Sequence, residues 1–146
     1  MTCIFCTASK HAIIENERFY AIADKYPVTP GHLLLIPKAH RRDYFALTQE
    51  ELQDLQALLQ EGKAYLLETY RPDGFNIGFN CGEAAGQTVF HCHCHLIPRY
   101  QGDVEQPKGG VRGVIPTSKP TKHKQAVSPA KENGLIMFVK MRTLRN

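Results

Sequence analysis

No stretch of the sequence approaches the roughly 18 consecutive apolar residues that a membrane-spanning helix needs, so no span is expected. The opening residues, Met1-Thr-Cys-Ile-Phe-Cys6, lack the basic segment followed by an apolar one that marks a secretory signal. Long runs of like charge are also missing. Lys plus Arg number 18 against 14 Asp plus Glu, and the net charge of +4 is spread along the chain. A modest basic excess suits an anionic substrate and points only weakly to nucleic acid. Cysteine is scarce and odd in number, five in all: Cys3 and Cys6 as a C-x-x-C pair, Cys81 alone, and Cys92 and Cys94 inside a histidine run. Such a set is no disulfide framework. It implies a reducing compartment, by default the cytoplasm, with thiols available to a metal. No internal repeat is present.

What is there fits one domain. At 146 residues, 42% hydrophobic and 22% charged, the chain is long enough for a proper core and ordinary for a soluble globular protein. Residues 18–24 and Leu33–Ile36 are expected strands, paired across a loop, Lys25–Gly31, that contains Pro27 and Pro30-Gly31. Thr48 with Glu51 predicts a capping box. It opens a helix whose Leu52, Leu55, Leu58, Leu59 and Leu66 lie close to helical spacing, and Arg71-Pro72-Asp73-Gly74 ends it. Phe75–Asn80 and Val89–Pro98 are expected to pair as antiparallel strands with the helix on one face of the sheet, an α+β arrangement. From Gln101 to Asn133 the patterning fails. Four prolines and six Lys plus Arg against three Asp plus Glu mark a basic loop able to approach the site. Leu135–Val139 is expected to return as a strand or helix.

The chemistry concentrates in His91-Cys-His-Cys-His95. On a strand, His91, His93 and His95 would share one face, and Cys92 and Cys94 the other. Three chemistries use such a row: metal binding, general acid–base catalysis, and nucleophilic attack by imidazole on phosphorus. The two cysteines fill as small hydrophobes, although oxidation there would distort the strand and make activity sensitive to oxidant.

The run resembles the signature of the histidine triad (HIT) superfamily, His-φ-His-φ-His-φ-φ with φ apolar. Pro30-Gly31-His32 and Ala85-Gly86-Gln87-Thr88-Val89 are similar to its upstream motifs, and the likeness extends from about Cys3 to Tyr100. The resemblance implies a HIT-like fold: an antiparallel sheet of about five strands carrying one long helix. A HIT core at 1–100 would be followed by an extension, 101–146, within the same domain. It implies nucleotidyl transfer with His93 as nucleophile, His95 binding the α-phosphate, His32 orienting the triad, and Gln87, Thr88 and Asn80 reaching phosphate oxygens. Asp24 would accept from ribose hydroxyls, and Ile4, Phe5 and Ile22 would line the base pocket. The implied substrates are a purine nucleotide, a dinucleoside polyphosphate or a nucleoside phosphoramidate. A homodimer is implied as well, with no membrane or nucleic-acid partner. The Gly86-Gln87-Thr88-Val89 form is similar to the branch that cleaves dinucleoside polyphosphates such as Ap4A.

In the C-x-x-C branch of the family, Cys3, Cys6, His40 and His91 would hold a structural zinc. Without metal, His91 would instead hydrogen-bond inward and help fix the tautomers of the row. Two other functions compete with catalysis: a nucleotide-binding scaffold acting through partners, and a zinc-dependent nucleic-acid module. The Cys6-to-His40 gap matches no zinc finger of that kind.

Overall fold

The computed structural model describes residues 2–116. Five antiparallel strands form one sheet in the order β1-β2-β3-β5-β4: β1 (Ile14–Glu15), β2 (Phe19–Ala23), β3 (Leu33–Pro37), β4 (Gly74–Gly78) and β5 (Cys94–Arg99). The α+β fold with one long helix on an antiparallel sheet is thus observed. A one-turn helix, α1 (Ile4–Thr7), precedes β1, and the long helix α2 (Gln49–Thr69) joins β3 to β4.

Helix α2 begins as its sequence dictates. Thr48 Oγ1 accepts from the Glu51 N–H, and the Glu51 carboxylate accepts from the Thr48 N–H. Glu51 is buried, and its carboxyl is held below the usual range: burial opposes ionisation, but the Thr48 hydrogen bonds and Arg41 outweigh it. Leu55, Leu58 and Leu66 then pack against Phe19, Ala21, Leu33, Leu35, Cys94 and Leu96 on one face of the sheet, while Leu59 is partly buried beside them. At Gly62 an added Cβ would lie 3.0 Å from Leu96 Cδ2, so the helix approaches β5 closely.

The other face carries a second apolar cluster. Tyr20, Leu34 and Ile36 meet Phe5 of α1, with Ile22 and Val89 against them. The Tyr20 hydroxyl donates to the Phe5 carbonyl and seats α1 on the sheet. Because Leu34 pairs with His95, the histidine lies on this face and not under α2.

Three expectations need correction. The strand expected over Val89–Pro98 starts only at Cys94. Its partner β3 ends in Pro37, which has no N–H to extend the ladder, and the Cys92 N–H donates instead to the Arg41 carbonyl at 2.6 Å. The strand expected over Phe75–Asn80 runs from Gly74 to Gly78. The two-residue β1 and the one-turn α1 lie in a segment for which no element was expected. Of the loop expected from Gln101, the described part contains a 3₁₀ turn, Gly110–Val114, whose Gly110 approaches Asn76 of β4. Residues through Val114 belong to one compact unit. The expectation for Leu135–Val139 lies outside the described residues.

Gly31 fixes the entry into β3. Its φ is +90°, and an added Cβ would sit 2.9 Å from Leu66 Cδ2 and 3.0 Å from the Tyr70 ring. Gly86 has the same φ with nothing within 4 Å. Gly31→Ala is therefore expected to cost about 2–4 kcal/mol, joining left-handed strain to overpacking, and Gly86→Ala only about 1–2 kcal/mol. Urea unfolding of both variants checks this; equal losses would show that the helix contact at Gly31 contributes nothing.

Candidate active site and metal centre

The histidines occupy one continuous row; main-chain groups hold the rings of His91 and His93 directly, and His95 is held by His32. His91 is fully buried. Its Nε2 lies 2.8 Å from the Pro37 carbonyl, which can only accept, so Nε2 carries the proton and Nδ1 keeps a lone pair. That lone pair faces Cys3 Sγ at 3.4 Å and Cys6 Sγ at 3.5 Å. His40 Nδ1 lies 3.3 Å from Cys6 Sγ. The four donor atoms lie within 4.8 Å of one another. A tetrahedral ion with Zn–S of about 2.3 Å and Zn–N of about 2.0 Å has N···S edges of about 3.5 Å. The observed separations fit that geometry. The inward hydrogen bond and the thiol-facing lone pair thus occupy the two different ring nitrogens of His91.

His93 is next. Its Nδ1 is 2.8 Å from the His91 carbonyl, so Nδ1 is the donor and Nε2 of the neutral ring holds the free lone pair. Phe5 packs edge-on against this ring, with centroids 5.1 Å apart, and also against His91 at 6.0 Å. Phe5 lies between Cys3 and Cys6, so the segment that carries the two thiols also supplies one wall beside His93.

His95 follows, its ring 5.3 Å from that of His93. Its Nδ1 is 2.9 Å from His32 Nε2. The Val28 N–H donates to His32 Nδ1 at 3.2 Å, so the neutral His32 ring carries its proton on Nε2 and offers it to His95. His95 then keeps its own proton on Nε2. Asp24 Oδ2 stands 3.4 Å from His32 Nε2 and 4.0 Å from His95 Nδ1. Its other oxygen accepts from the Tyr26 N–H, which shapes the loop after β2. Asp24, His32 and His95 are also close enough to suggest a metal group. The hydrogen bonding argues against one, because His32 would have to lose its Nε2 proton while Val28 occupies Nδ1. Burial lowers the basicity of His32, with Asp24 partly offsetting it. Burial, then His93 and His32, push the pKa of His95 down to about 4, so it is neutral near pH 7.

The structure distributes the remaining expected residues unevenly. Asn80 lines a cleft of about 590 Å³ together with His32, His95, Phe79, Ile97, Val111 and Val114. The described part of the segment that starts at Gln101 therefore shares a cleft with His95. Gln87 is buried, and its amide is engaged with main chain. Its Oε1 accepts from the Gly82 N–H at 2.8 Å, and its Nε2 donates to the carbonyls of Arg42 at 2.7 Å and Val89 at 3.1 Å. This side chain stitches the loop ahead of the triad. Thr88 is exposed on that loop. Phe5 and Ile22 belong to the apolar cluster beside His93, whereas Ile4 is 60% exposed. His11 is exposed, and His123 lies outside the described residues. Cys92 and Cys94 are fully buried, and burial pushes both thiols up to about 12. Almost no thiolate is present at neutral pH, so the expected oxidant sensitivity of the triad does not follow from these two residues. The Val28 amide had no sequence signal at all, since any residue but proline supplies one.

The site can be set beside known proteins. The HIT domain profile matches residues 7–102. A HIT-like protein of Mycoplasma genitalium is 40% identical over 105 residues, 68% of this chain and 74% of that one. An AP-4-A phosphorylase of Mycobacterium tuberculosis is 38% identical over 92 residues, 62% of this chain but 47% of that one. The crystal structure of a Zn-bound histidine triad family protein from Mycobacterium smegmatis superposes with a TM-score of 0.65 at 39% identity, covering 70% of this chain and 78% of that one. The chain belongs to the HIT domain family.

Proposed function

We propose that this protein is a nucleotidyl hydrolase or transferase in which His93 Nε2 attacks the α-phosphorus of a purine nucleotide. The observation that carries the reading is the His93 Nδ1–H donated to the His91 carbonyl, which leaves Nε2 as the free lone pair. In the first step the Nε2–P bond forms and the bond from phosphorus to the leaving group breaks. In the second, water or another acceptor attacks phosphorus, the P–N bond breaks, and the electron pair returns to Nε2. His95, neutral and protonated at Nε2, supplies a donor to the phosphate oxygens as charge builds on them. Asn80 adds an amide from the cleft wall.

Dinucleoside polyphosphates and nucleoside phosphoramidates are the substrate classes we propose. The AP-4-A phosphorylase of M. tuberculosis favours the former, and its match here spans 47% of that protein. Asp24 is proposed to meet the ribose and Phe5 and Ile22 the base. Thr88 and Gln87 lie on the loop before the triad, and Gln87 acts by holding it.

Cys3, Cys6, His40 and His91 are proposed to hold zinc. Four protein ligands leave no open position, so the ion's contribution is structural. It would pin α1, and with it Phe5, beside the nucleophile. The donor set supports this reading, as does the Zn-bound relative from M. smegmatis.

Four outcomes are expected. Wild type should turn over at least one of diadenosine tri- or tetraphosphate, an AMP-amine phosphoramidate or ADP. His93→Ala should lose at least about a thousandfold, because the nucleophile itself is removed. Product chromatography reads both; wild type that binds nucleotide but converts none of the panel would favour the scaffold alternative. Purified under reducing conditions without chelator, the chain should carry one zinc. Removing it should lower the melting temperature by several degrees; unchanged melting after complete removal would defeat a structural role.

Stability should also depend on His95. An unfolded histidine titrates near 6.5, whereas folded His95 titrates at about 4. Between those values the unfolded chain binds a proton that the folded chain does not, so stability falls as pH drops from 6.5 to 4 and is level above 6.5. His95→Asn keeps an acceptor for His32 without the titration. The stability advantage of wild type over His95→Asn should therefore shrink by roughly 3 kcal/mol between pH 7 and pH 4, measured by denaturant unfolding. A constant difference would show that His95 titrates normally.

A further inference from the structure

The loop between β2 and β3 is held at several points. The Asp24 carboxylate accepts from Tyr26 N–H at 2.9 Å, and Asp24 N–H donates to the His32 carbonyl at 2.9 Å. Thr29 Oγ1 donates to the Pro98 carbonyl at 2.6 Å, and His32 N–H donates to the Thr29 carbonyl at 3.2 Å. Within this frame Val28 is 68% exposed, but its main-chain N–H points back at His32 Nδ1. Its neighbours Pro27 and Pro30 have no N–H to offer.

We infer that the Val28 amide is a positioning group that sets which nitrogen of His95 carries the proton, acting through His32. The inference rests on the reading of His95 as a phosphate donor for its consequence in catalysis, but not for the proton positions themselves. A neutral imidazole has one N–H. Donation by Val28 fixes His32 Nδ1 as the acceptor and so places the His32 proton on Nε2. That proton is aimed at His95 Nδ1, 2.9 Å away, which fixes His95 as the Nε2–H form. The amide has the required direction built in, since a backbone N–H can only donate. A side-chain hydroxyl in its place could turn round and let His32 reverse.

Asp24 stands beside this relay as the competing acceptor. Its Oδ2 is 3.4 Å from His32 Nε2 and 4.0 Å from His95 Nδ1. Were His32 to carry its proton on Nδ1, its bare Nε2 would face Asp24 with no proton between them. His95 would then turn its own proton inward, to Nδ1, and present an unprotonated Nε2. The groups facing the pair are Asp24, with Val28 on the loop and His93 on the adjoining chain.

The experiment is long-range ¹H–¹⁵N spectroscopy of the full chain, labelled with ¹⁵N at histidine and valine, for wild type, Val28→Ala and Val28→Pro. Wild type and Val28→Ala, which both retain the amide, should show His32 and His95 protonated at Nε2. Val28→Pro deletes the donor and should move both rings toward the Nδ1–H form. With a substrate it should lower kcat by about a hundredfold to a thousandfold with a smaller change in KM, the size expected for loss of one oriented donor. A folded Val28→Pro protein whose His95 stays wholly in the Nε2–H form overturns the inference. If Val28→Pro does not fold, the wild type decides. A ¹⁵N–¹⁵N coupling across the hydrogen bond from Val28 N to His32 Nδ1 supports the inference, and a His32 ring protonated at Nδ1 overturns it. A shift of both tautomers in a protein that turns over no nucleotide would keep the relay and remove the function proposed for the site.

Discussion

Each imidazole in this site has two nitrogens and, when neutral, one proton. Main-chain groups that cannot change roles determine where that proton goes. The Pro37 carbonyl takes the Nε2–H of His91 and leaves Nδ1 for the two sulfurs. The His91 carbonyl takes the Nδ1–H of His93 and leaves Nε2 bare. Alternate residues of one short segment are thereby given opposite tautomers: one ring turns its lone pair to two thiols, the next leaves its lone pair free. A carbonyl cannot donate, so neither assignment reverses unless the backbone moves.

The fold serves that constraint. Helix α2 and its leucines occupy one face of the sheet, which leaves the other free for α1 and the histidines. β3 ends at a proline, and the carbonyl there meets a side chain instead of a strand. The chain ahead of β5 is consequently not strand, and it is in this irregular stretch that His91 turns inward and its carbonyl becomes available to His93. The four-residue cluster of Cys3, Cys6, His40 and His91 brings α1 to this stretch, so that cluster and the aromatic wall beside His93 are one construction.

Much of this was legible in the sequence, for identifiable reasons. Helix α2 announces itself because Thr48 and Glu51 form a local device and its leucines repeat every turn. The pairing of β2 with β3 follows from two apolar runs separated by a short proline loop. The grouping of Cys3, Cys6, His40 and His91 could be proposed from a resemblance and not from spacing, since these residues lie far apart in the chain. The late start of β5 was hidden because the alternation of His91 to His95 continues smoothly into it; only tertiary pairing with β3 sets the boundary. Gln87 reads as a polar residue near a phosphate, and nothing local reveals that the Gly82, Arg42 and Val89 main chain engages its amide. The Val28 donor is invisible to any reading by residue type, because its contribution comes from the backbone.

The most direct test of the central claim is to catch the covalent state. Wild-type protein mixed with a turned-over nucleotide substrate, quenched in base within milliseconds and analysed by mass spectrometry and ³¹P spectroscopy, should carry one nucleotidyl group. It should be a base-stable, acid-labile P–N bond on Nε2 of His93. An adduct on Nδ1 of that ring, or on any other residue, would contradict the proton placement, and turnover through no adduct would contradict nucleophilic catalysis by His93.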